Sequence, residues 1–298
     1  MTTVPLLWLF STACVINSEQ FPRPRDLSEE WQVDRTRILA VRAEPPEIRP
    51  GEVASLEALI AGPVEDDAEL SLVWLACEDG GDFGCATDLS GLDFENPDPV
   101  ALQESGLIGF EPLLPPRYEA SVDLLDDLDP VERLEGLNVQ TQLFAFPAEL
   151  FAAGVPDDID FNEVEVGFKR VVVSEAKTPN NNPQIEGFTV DGVVVPPAVA
   201  QIELTAGQQY DFSLLLDEAL GIEEYVFVNS KGDVEDRIEE PYAAWFSTSG
   251  DVTEPVTLYP FLEMTWTAPA EPGPGRIFAV VRDRRGGMVW HAQDYVVR

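Results

Sequence analysis

The chain contains a single histidine, His291, and this residue limits the catalysis that the sequence could support. A Ser/His/Asp site uses a histidine as general base, and Asp294 follows His291 by three residues. The sequence contains no Gly-x-Ser-x-Gly turn, no phosphate-binding loop and no dinucleotide-binding glycine motif. We therefore interpret His291 as a histidine on the surface of a strand, and we predict no catalytic residues and no enzymatic activity.

Two acidic clusters have the oxygen-rich composition of calcium sites, which take six to eight oxygen ligands. The members of the first cluster are Asp123, Asp126, Asp127 and Asp129. The members of the second are Asp157, Asp158, Asp160 and Asn162. Neither cluster has EF-hand spacing, and a chain with 55 acidic residues contains such clusters by chance. We interpret both as solvated loops and predict no metal and no cofactor, while calcium binding by Asp157, Asp158 and Asp160 stays open.

Cys14 follows a short apolar segment at residues 4–10 (VPLLWLF). The segment is far shorter than the ~20 residues that span a bilayer, and it is typical of the core of a signal peptide. The three small residues before Cys14 (STA) make the site resemble a bacterial lipobox, although Ser11 stands where that motif has Leu and no Lys or Arg precedes the apolar segment. The resemblance implies cleavage of residues 1–13, a lipid on Cys14 and, because Val15 follows, the outer membrane. The alternative is an ordinary secretory signal whose removal discards Cys14.

The other two cysteines, Cys77 and Cys85, flank a short loop at residues 78–84 (EDGGDFG). Such a loop can bring two Cα atoms within the ~6 Å that a disulfide needs, and an oxidising compartment favours the bond. A zinc site is the rival interpretation, but two cysteines and one histidine do not complete a tetrahedral site without carboxylates. We predict a Cys77–Cys85 disulfide. The loop that it closes is either a contact surface or a hairpin held shut.

The charge of the chain excludes one class of partner. The sequence has 55 acidic and 18 basic residues and a formal net charge of −37. Nucleic acid binding depends on Lys and Arg contacts to phosphates, so no nucleic acid partner is expected, and direct docking onto anionic lipid headgroups is disfavoured. The only lysines are Lys169, Lys177 and Lys231. A salty environment and an Arg-rich codon usage both explain this bias, and the sequence does not separate them.

The pattern of apolar residues divides the mature chain into two modules. After the turn at Pro50-Gly51, one buried strand face is predicted at alternate positions: Ala54, Leu56, Ala58 and Ile60. After the turn at Ala206-Gly207, the equivalent positions are Tyr210, Phe212, Leu214 and Leu216. A tryptophan-bearing apolar segment follows each strand, with Trp74 in the first and Trp245 in the second. We interpret this as an internal repeat.

These segments predict a signal peptide at 1–13, a polar tether at 14–35, a β-sandwich module with insertions at 36–176, an Asn/Pro-rich linker at 177–183 and a second β-sandwich at 184–298. Trp31, near the end of the tether, is predicted to dock onto the first module. Asp129-Pro130 is a candidate start for a short helix within the first module.

The second module resembles bacterial immunoglobulin-like or PKD-like domains. The residues that carry the resemblance are Gly207 before an alternating strand, Trp245 on a middle strand, the segment Trp266-Thr267-Ala268-Pro269, the hairpin Asp283-x-x-Gly286-Gly287, and Trp290. The resemblance implies an all-β fold of two tandem immunoglobulin-like β-sandwich domains, and it covers the first module more loosely.

The sequence favours a non-enzymatic, lipid-anchored envelope or cell-surface protein that acts as a scaffold, adhesion or protein–protein interaction module. Its expected partners are the membrane, through the lipid, and an envelope protein or glycan. The alternative is a glycan- or small-ligand-binding lipoprotein in which Trp245, Trp266 and Trp290 form a stacking platform, provided that they are exposed on one face. A hydrolase would require convergent carboxylates in a deep pocket.

Overall fold

The structure is a computed structural model, and it describes residues 30–63, 69–77, 98–148, 164–228 and 234–298. Cys14, Cys85 and the acidic cluster at residues 157–162 lie outside the described residues. The strands of every sheet come either from the part of the chain before the linker or from the part after it. We call these two parts the first module and the second module.

The first module contains eight of the described strands and two short helices. In chain order they are β1 (Arg37–Glu44), β2 (Glu47–Ile48), β3 (Val53–Ala61), β4 (Leu70–Cys77), α1 (Pro99–Glu104), β5 (Leu107–Glu111), β6 (Arg117–Glu119), α2 (Pro130–Glu135), β7 (Leu137–Pro147) and β8 (Glu165–Val173). One sheet has the order β1-β3-β6, and the other has the order β2-β8-β7-β4-β5. Strand β2 runs parallel to β8, and the other pairs are antiparallel.

The second module repeats this arrangement with added strands. In chain order they are β9 (Ile185–Val190), β10 (Val193–Val194), β11 (Gln201–Leu204), β12 (Gln209–Leu216), β13 (Glu224–Val228), β14 (Val234–Ile238), β15 (Tyr242–Ser247), β16 (Asp251–Val252), β17 (Val256–Leu258), β18 (Glu263–Thr267), β19 (Gly273–Arg282) and β20 (Met288–Val297). The sheet orders are β10-β9-β12-β18-β16 and β11-β20-β19-β15-β17, and β13 and β14 form a separate hairpin.

The two modules share one topology. The order β1-β3-β6 corresponds to β9-β12-β18, and β2-β8-β7-β4-β5 corresponds to β11-β20-β19-β15-β17. In both, a short strand pairs in parallel with the last strand of the module. Two packed sheets with this division of strands have the architecture of immunoglobulin domains, in which a three- or four-stranded sheet faces one built on the last two strands. The predicted all-β fold of tandem immunoglobulin-like sandwiches is confirmed, and so is the internal repeat.

A tryptophan lies at the equivalent place in each core. Trp74 on β4 and Trp245 on β15 are both fully buried. A buried indole N–H needs an acceptor, and each finds one on the neighbouring edge strand. Trp74 Nε1 donates to Glu111 Oε2 at 3.1 Å, and Trp245 Nε1 donates to Thr257 Oγ1 at 2.9 Å. The repeat therefore extends from strand order to the hydrogen bond that orients the central side chain.

The acidic cluster at residues 123–129 shapes the backbone locally. Asp129 caps α2, because its Oδ1 accepts hydrogen bonds from Val131 N at 2.8 Å and from Glu132 N at 3.0 Å. The Glu132 carboxylate accepts in return from Asp129 N at 3.0 Å, which completes a capping box. Asp123 accepts from the Ser121 hydroxyl. The predicted helix start at Asp129-Pro130 is confirmed.

Candidate functional site

The junction between the modules is the most elaborate polar site in the described part of the chain. It begins with the last residues of the predicted tether. Val33 N donates to Ser247 O at 2.9 Å, and Ser247 N donates to Trp31 O at 3.1 Å. Trp31 is buried in the core of the second module, so its predicted docking onto the first module is wrong. The open end of β15 offers unpaired backbone groups, and the tether residues pair with them.

An apolar contact between the modules lies next to this pairing. Val33 packs in one cluster with Leu39 and Ala61 of the first module and Phe278 of the second. Arg282 extends the contact, because its guanidinium donates to Leu39 O at 3.2 Å. Burial lowers the pKa of Arg282, since the charged form loses hydration there. Strand β1 is therefore held by both modules.

The predicted linker is packed between the modules, where Asn182 hydrogen-bonds to both. Its Nδ2 donates to Ala43 O at 2.7 Å and to Glu44 Oε2 at 2.8 Å in the first module. Its Oδ1 accepts from Met288 N at 2.8 Å in the second module. One buried amide thus satisfies backbone groups on β1 and β20.

Asn180 makes a second polar connection. Its Nδ2 donates to Asp283 Oδ2 at 2.8 Å, and its backbone N donates to Glu47 Oε2 at 2.6 Å. Glu47 belongs to the first module and also accepts from the Ser174 hydroxyl. Asn180, Glu47 and Asp283 are all buried. Hydrogen bonds among buried polar groups favour a single arrangement of the elements that carry them. Asn180 Oδ1 is buried and has no partner among the described residues.

Asp283 organises the turn between β19 and β20. Its Oδ1 accepts from the backbone N of Arg285 at 2.7 Å and from those of Gly286 and Gly287 at 2.9 Å each. Burial raises the pKa of Asp283, and these hydrogen bonds together with the one from Asn180 oppose the rise. A Cβ on Gly287 would lie 2.1 Å from Asp283 Oδ2 and 2.6 Å from Asn181 O, so a glycine is required there. The Asp-x-x-Gly-Gly hairpin predicted from the sequence is thus also a junction element.

Lys169 contacts this turn from the first module. It shares the inward side of β8 with Val171 and Val173, and its amine donates to Gly286 O. Its side chain is almost completely buried. Burial lowers the pKa of Lys169 to about 8, and the nearby Asp283 carboxylate opposes this shift. Near neutral pH, Lys169 is therefore a buried ammonium group that has lost most of its hydration.

His291 lies within β20 but is less exposed than the sequence suggested. Its ring stacks on Phe188 with centroids 4.7 Å apart, and its Nε2 is buried without a partner among the described residues. Burial lowers its pKa. A ring stacked on a phenylalanine, with its Nε2 buried, has a packing role, and the interpretation as a surface residue is wrong.

The proposed tryptophan platform does not form. Trp245 and Trp266 are both completely buried, because they point into the sandwich between its two sheets. Trp290 is half-buried beneath Arg42, whose guanidinium carbon lies 4.7 Å from the indole centroid. The glycan-stacking alternative therefore loses the side chains on which it was based.

The other predicted sites are only partly described. Cys77 ends β4, while Cys85 and Cys14 lie outside the described residues, so the disulfide and the lipidation stay predictions. Asp157, Asp158 and Asp160 also lie outside. Within the described ranges, no group of three His, Cys, Asp or Glu side chains is arranged to hold a metal ion. No helix in those ranges is long and apolar enough to cross a membrane.

Sequence reasoning missed the main residues of the junction: Glu47, Lys169, Asn180, Asn182 and Arg282. Lys169 carried a usable signal, since it alternates in phase with the apolar Val171 and Val173. A lysine in the apolar phase of a strand requires a specific partner. The three consecutive asparagines carried no such signal, because the same residues are typical of exposed turns.

Comparisons with known proteins concern the fold alone. No protein-family model and no curated protein sequence matches the chain. Similar solved structures include a nucleoside hydrolase-related protein from Saccharophagus degradans, with 12% identity, a TM-score of 0.28, and coverage of 43% of this chain and 28% of that one. The Ig1-2 module of the Drosophila receptor tyrosine phosphatase DLAR has 14% identity, a TM-score of 0.28, and coverage of 89% and 99%. The D00-D0 domain of intimin has 9% identity, a TM-score of 0.22, and coverage of 86% and 100%. At these values the similarities carry no argument about what the chain binds.

We predict that Asn182→Ala destabilises the protein by about 3 kcal/mol, because it leaves Ala43 O and Met288 N buried without partners. Urea unfolding measures the loss, and small-angle scattering should report a larger radius of gyration as the modules separate. Asn181→Ala is the matched control, since Asn181 is exposed and, among the described residues, its side chain hydrogen-bonds to Glu223 alone. Equal effects of the two substitutions would contradict the assigned role of Asn182.

Lys169 should make stability depend on pH above neutrality. Its folded pKa of about 8 lies below the ~10.4 of an unfolded lysine, so the unfolded state binds more protons between these values. The free energy of unfolding therefore rises as the pH increases from about 8 to about 10.4. The same stability is lost as the pH falls back through this range to the folded pKa of Lys169. Lys169→Met should remove this rise in urea titrations, whereas Lys177→Met, at an exposed site, should retain it.

Proposed function

We propose that this chain is a lipid-anchored, non-enzymatic envelope or cell-surface protein whose two immunoglobulin-like modules act as one rigid interaction scaffold. The observation that carries the proposal is the buried polar junction centred on Asn182 and Asn180. Modules joined only by a flexible linker move relative to each other by default. Here two residues of the linker, Asn180 and Asn182, are buried, and their side chains hydrogen-bond to both modules. Such a junction suits a protein that presents surfaces at a fixed separation.

The anchor proposal rests on Cys14 and on the composition of the residues after it. Residues 17–29 are mostly polar and contain two prolines, which suits a semi-extended tether. A tether of ~15 residues spans at most about 50 Å. The modules would therefore stay close to the membrane surface, where a fixed orientation of a rigid scaffold determines which faces a partner can reach.

The β13–β14 hairpin is the surface that best suits a protein partner. It is inserted between β12 and β15, and immunoglobulin domains present binding loops at this position. Its apolar side chains are unusually exposed, with Val226 at 63% and Ile238 at 61%. The Arg237 guanidinium carbon lies 3.7 Å from the Phe227 ring centroid. By the strand register, Val226 and Ile238 lie on one face of the hairpin, and Phe227 and Arg237 lie on the other. Exposed apolar side chains, aromatic residues and arginine are typical of protein interfaces.

The anchor is tested with the full-length protein, expressed in the cells from which it comes. We expect mass spectrometry of the mature protein to find a diacylglyceryl-modified N-terminal Cys14, and we expect the protein to partition into the detergent phase of Triton X-114. Cys14→Ser should move it to the aqueous phase. A free mature N-terminus beyond residue 14 would refute the anchor.

The interaction role is tested on the hairpin. We expect the double substitution Val226→Ser and Ile238→Ser to lower the yield of a specific cross-linked complex in intact cells by roughly tenfold. The two serines would bury less apolar surface against the partner than valine and isoleucine do. Val193→Ser with Val194→Ser is the matched control, since these residues on β10 are also well exposed, at 70% and 53%. A cross-linked product that persists in the hairpin variant would exclude this surface.

A further inference from the structure

A cleft of about 580 Å³ lies between the modules, next to the buried junction. The first module contributes residues of β7 and β8 to its walls, and the second contributes Tyr242 of β15 and the turn between β19 and β20. Five lining residues are basic: Lys169, Arg170, Arg282, Arg284 and Arg285. The chain has only 18 basic residues, so this cleft concentrates them.

The cleft also lacks the residue type that dominates the sequence. The chain has 55 acidic residues, yet none of the described residues that line the cleft is acidic. Both modules contribute cations, since Lys169 and Arg170 belong to β8 and the three other arginines to the second module. The positive lining is therefore formed by the arrangement of the modules, and neither module has it alone.

Two of the five cations have hydrogen-bonding capacity to spare. Arg285 is engaged, with its guanidinium 2.8 Å from Glu239 Oε1 and 3.4 Å from Glu223 Oε2. The nearest carboxylate to Arg284 is that of Glu240 at 3.8 Å, and both side chains are well exposed. Arg170 is exposed and makes no ion pair with another residue in the described ranges. Arg170 and Arg284 thus present exposed guanidinium groups from the two modules, and Arg284 also contacts Glu240 at 3.8 Å and lies 5.8 Å from the Tyr242 ring centroid.

The other two cations lie deeper and are already desolvated. Lys169 donates to Gly286 O and Arg282 donates to Leu39 O, and neither carbonyl carries a formal charge. Burial lowers the pKa of both side chains, and the opposing effects of Asp283 on Lys169 and of Tyr242 on Arg282 are smaller than the effect of burial. An anion in the cleft would offset this effect of burial without a further loss of hydration by these groups.

We propose that this cleft binds a small ligand through an oxyanion group, a carboxylate, phosphate or sulfate. Arg170 and Arg284 donate directly to the oxyanion, because a planar guanidinium matches its geometry, and Lys169 and Arg282 supply the surrounding positive potential. Tyr242 and Phe168 flank the site, and the Phe168 side chain is 54% exposed. The Phe168 ring offers a flat apolar face to the remainder of the ligand, whereas the Tyr242 ring centroid already lies 5.9 Å from the guanidinium carbon of Arg282 and 5.8 Å from that of Arg284. The assignment does not depend on the lipid anchor or on the partner of the hairpin.

Isothermal titration of the full chain with phosphate, sulfate and glucuronate, at pH 7 and constant ionic strength, tests the site and distinguishes inorganic anions from a sugar acid. We expect saturable binding of at least one probe, with Arg170→Gln and Arg284→Gln each weakening it roughly tenfold. Arg117→Gln is the matched control, since Arg117 is an exposed arginine on β6 and is not among the residues that line the cleft. Unchanged melting temperatures show that the variants are folded.

A second readout follows Lys169 directly. The NMR titration of its side chain should show a higher pKa when the probe is bound, because the anion stabilises the ammonium form. The inference is overturned if none of the three probes binds saturably, if the Arg117 variant loses as much affinity as the cleft variants, or if the Lys169 titration does not move on saturation.

Discussion

The arrangement of the two modules depends on the buried amide of Asn182. It donates to Ala43 O on β1 and accepts from Met288 N on β20, so this one side chain supplies a hydrogen-bond partner to a backbone group in each module. An apolar side chain at this position would leave both backbone groups unsatisfied. An aspartate would lack the donor that Ala43 O needs. The geometry of the junction therefore requires a side chain with both a donor and an acceptor, and asparagine meets this requirement at the available length.

A polar junction restricts the modules more than an apolar one of the same size would. Apolar contacts, such as that of Leu39 with Phe278, tolerate sliding, since their energy depends on buried area and little on direction. Hydrogen bonds to Asp283, Glu47 and Asn182 are lost by small displacements. The N-terminal residues add a third constraint, because Trp31 precedes the first module in sequence but packs in the core of the second. The linker and the segment preceding β1 thus hold the second module at two separate points.

The sequence predicted the fold because the relevant signals are local. The alternation in β3 and β12, the tryptophan after each, and the Asp129 helix cap depend on residues close in the chain. The junction depends on contacts that join distant positions, such as Asn180 with Asp283 and Lys169 with Gly286. Pattern reasoning assigns asparagine to turns and lysine to surfaces, and tertiary contacts override both preferences here. The prediction for Trp31 failed for the same reason. Trp31 is close in sequence to the first module, but the residues around it pair with the end of β15 in the second module.

The preference for arginine over lysine has a structural use at this junction. Arg285 pairs with Glu239 while its guanidinium carbon lies 4.3 Å from the Tyr225 ring centroid, and Arg42 pairs with Glu57 at 2.5 Å while it covers Trp290. A lysine ammonium cannot combine a directed ion pair with stacking of a planar group on an aromatic ring. In a chain of net charge −37, two acidic modules repel each other when they approach. Arginines from both modules offset that repulsion where the modules meet, and the surplus of positive charge in the cleft is the consequence of placing them there.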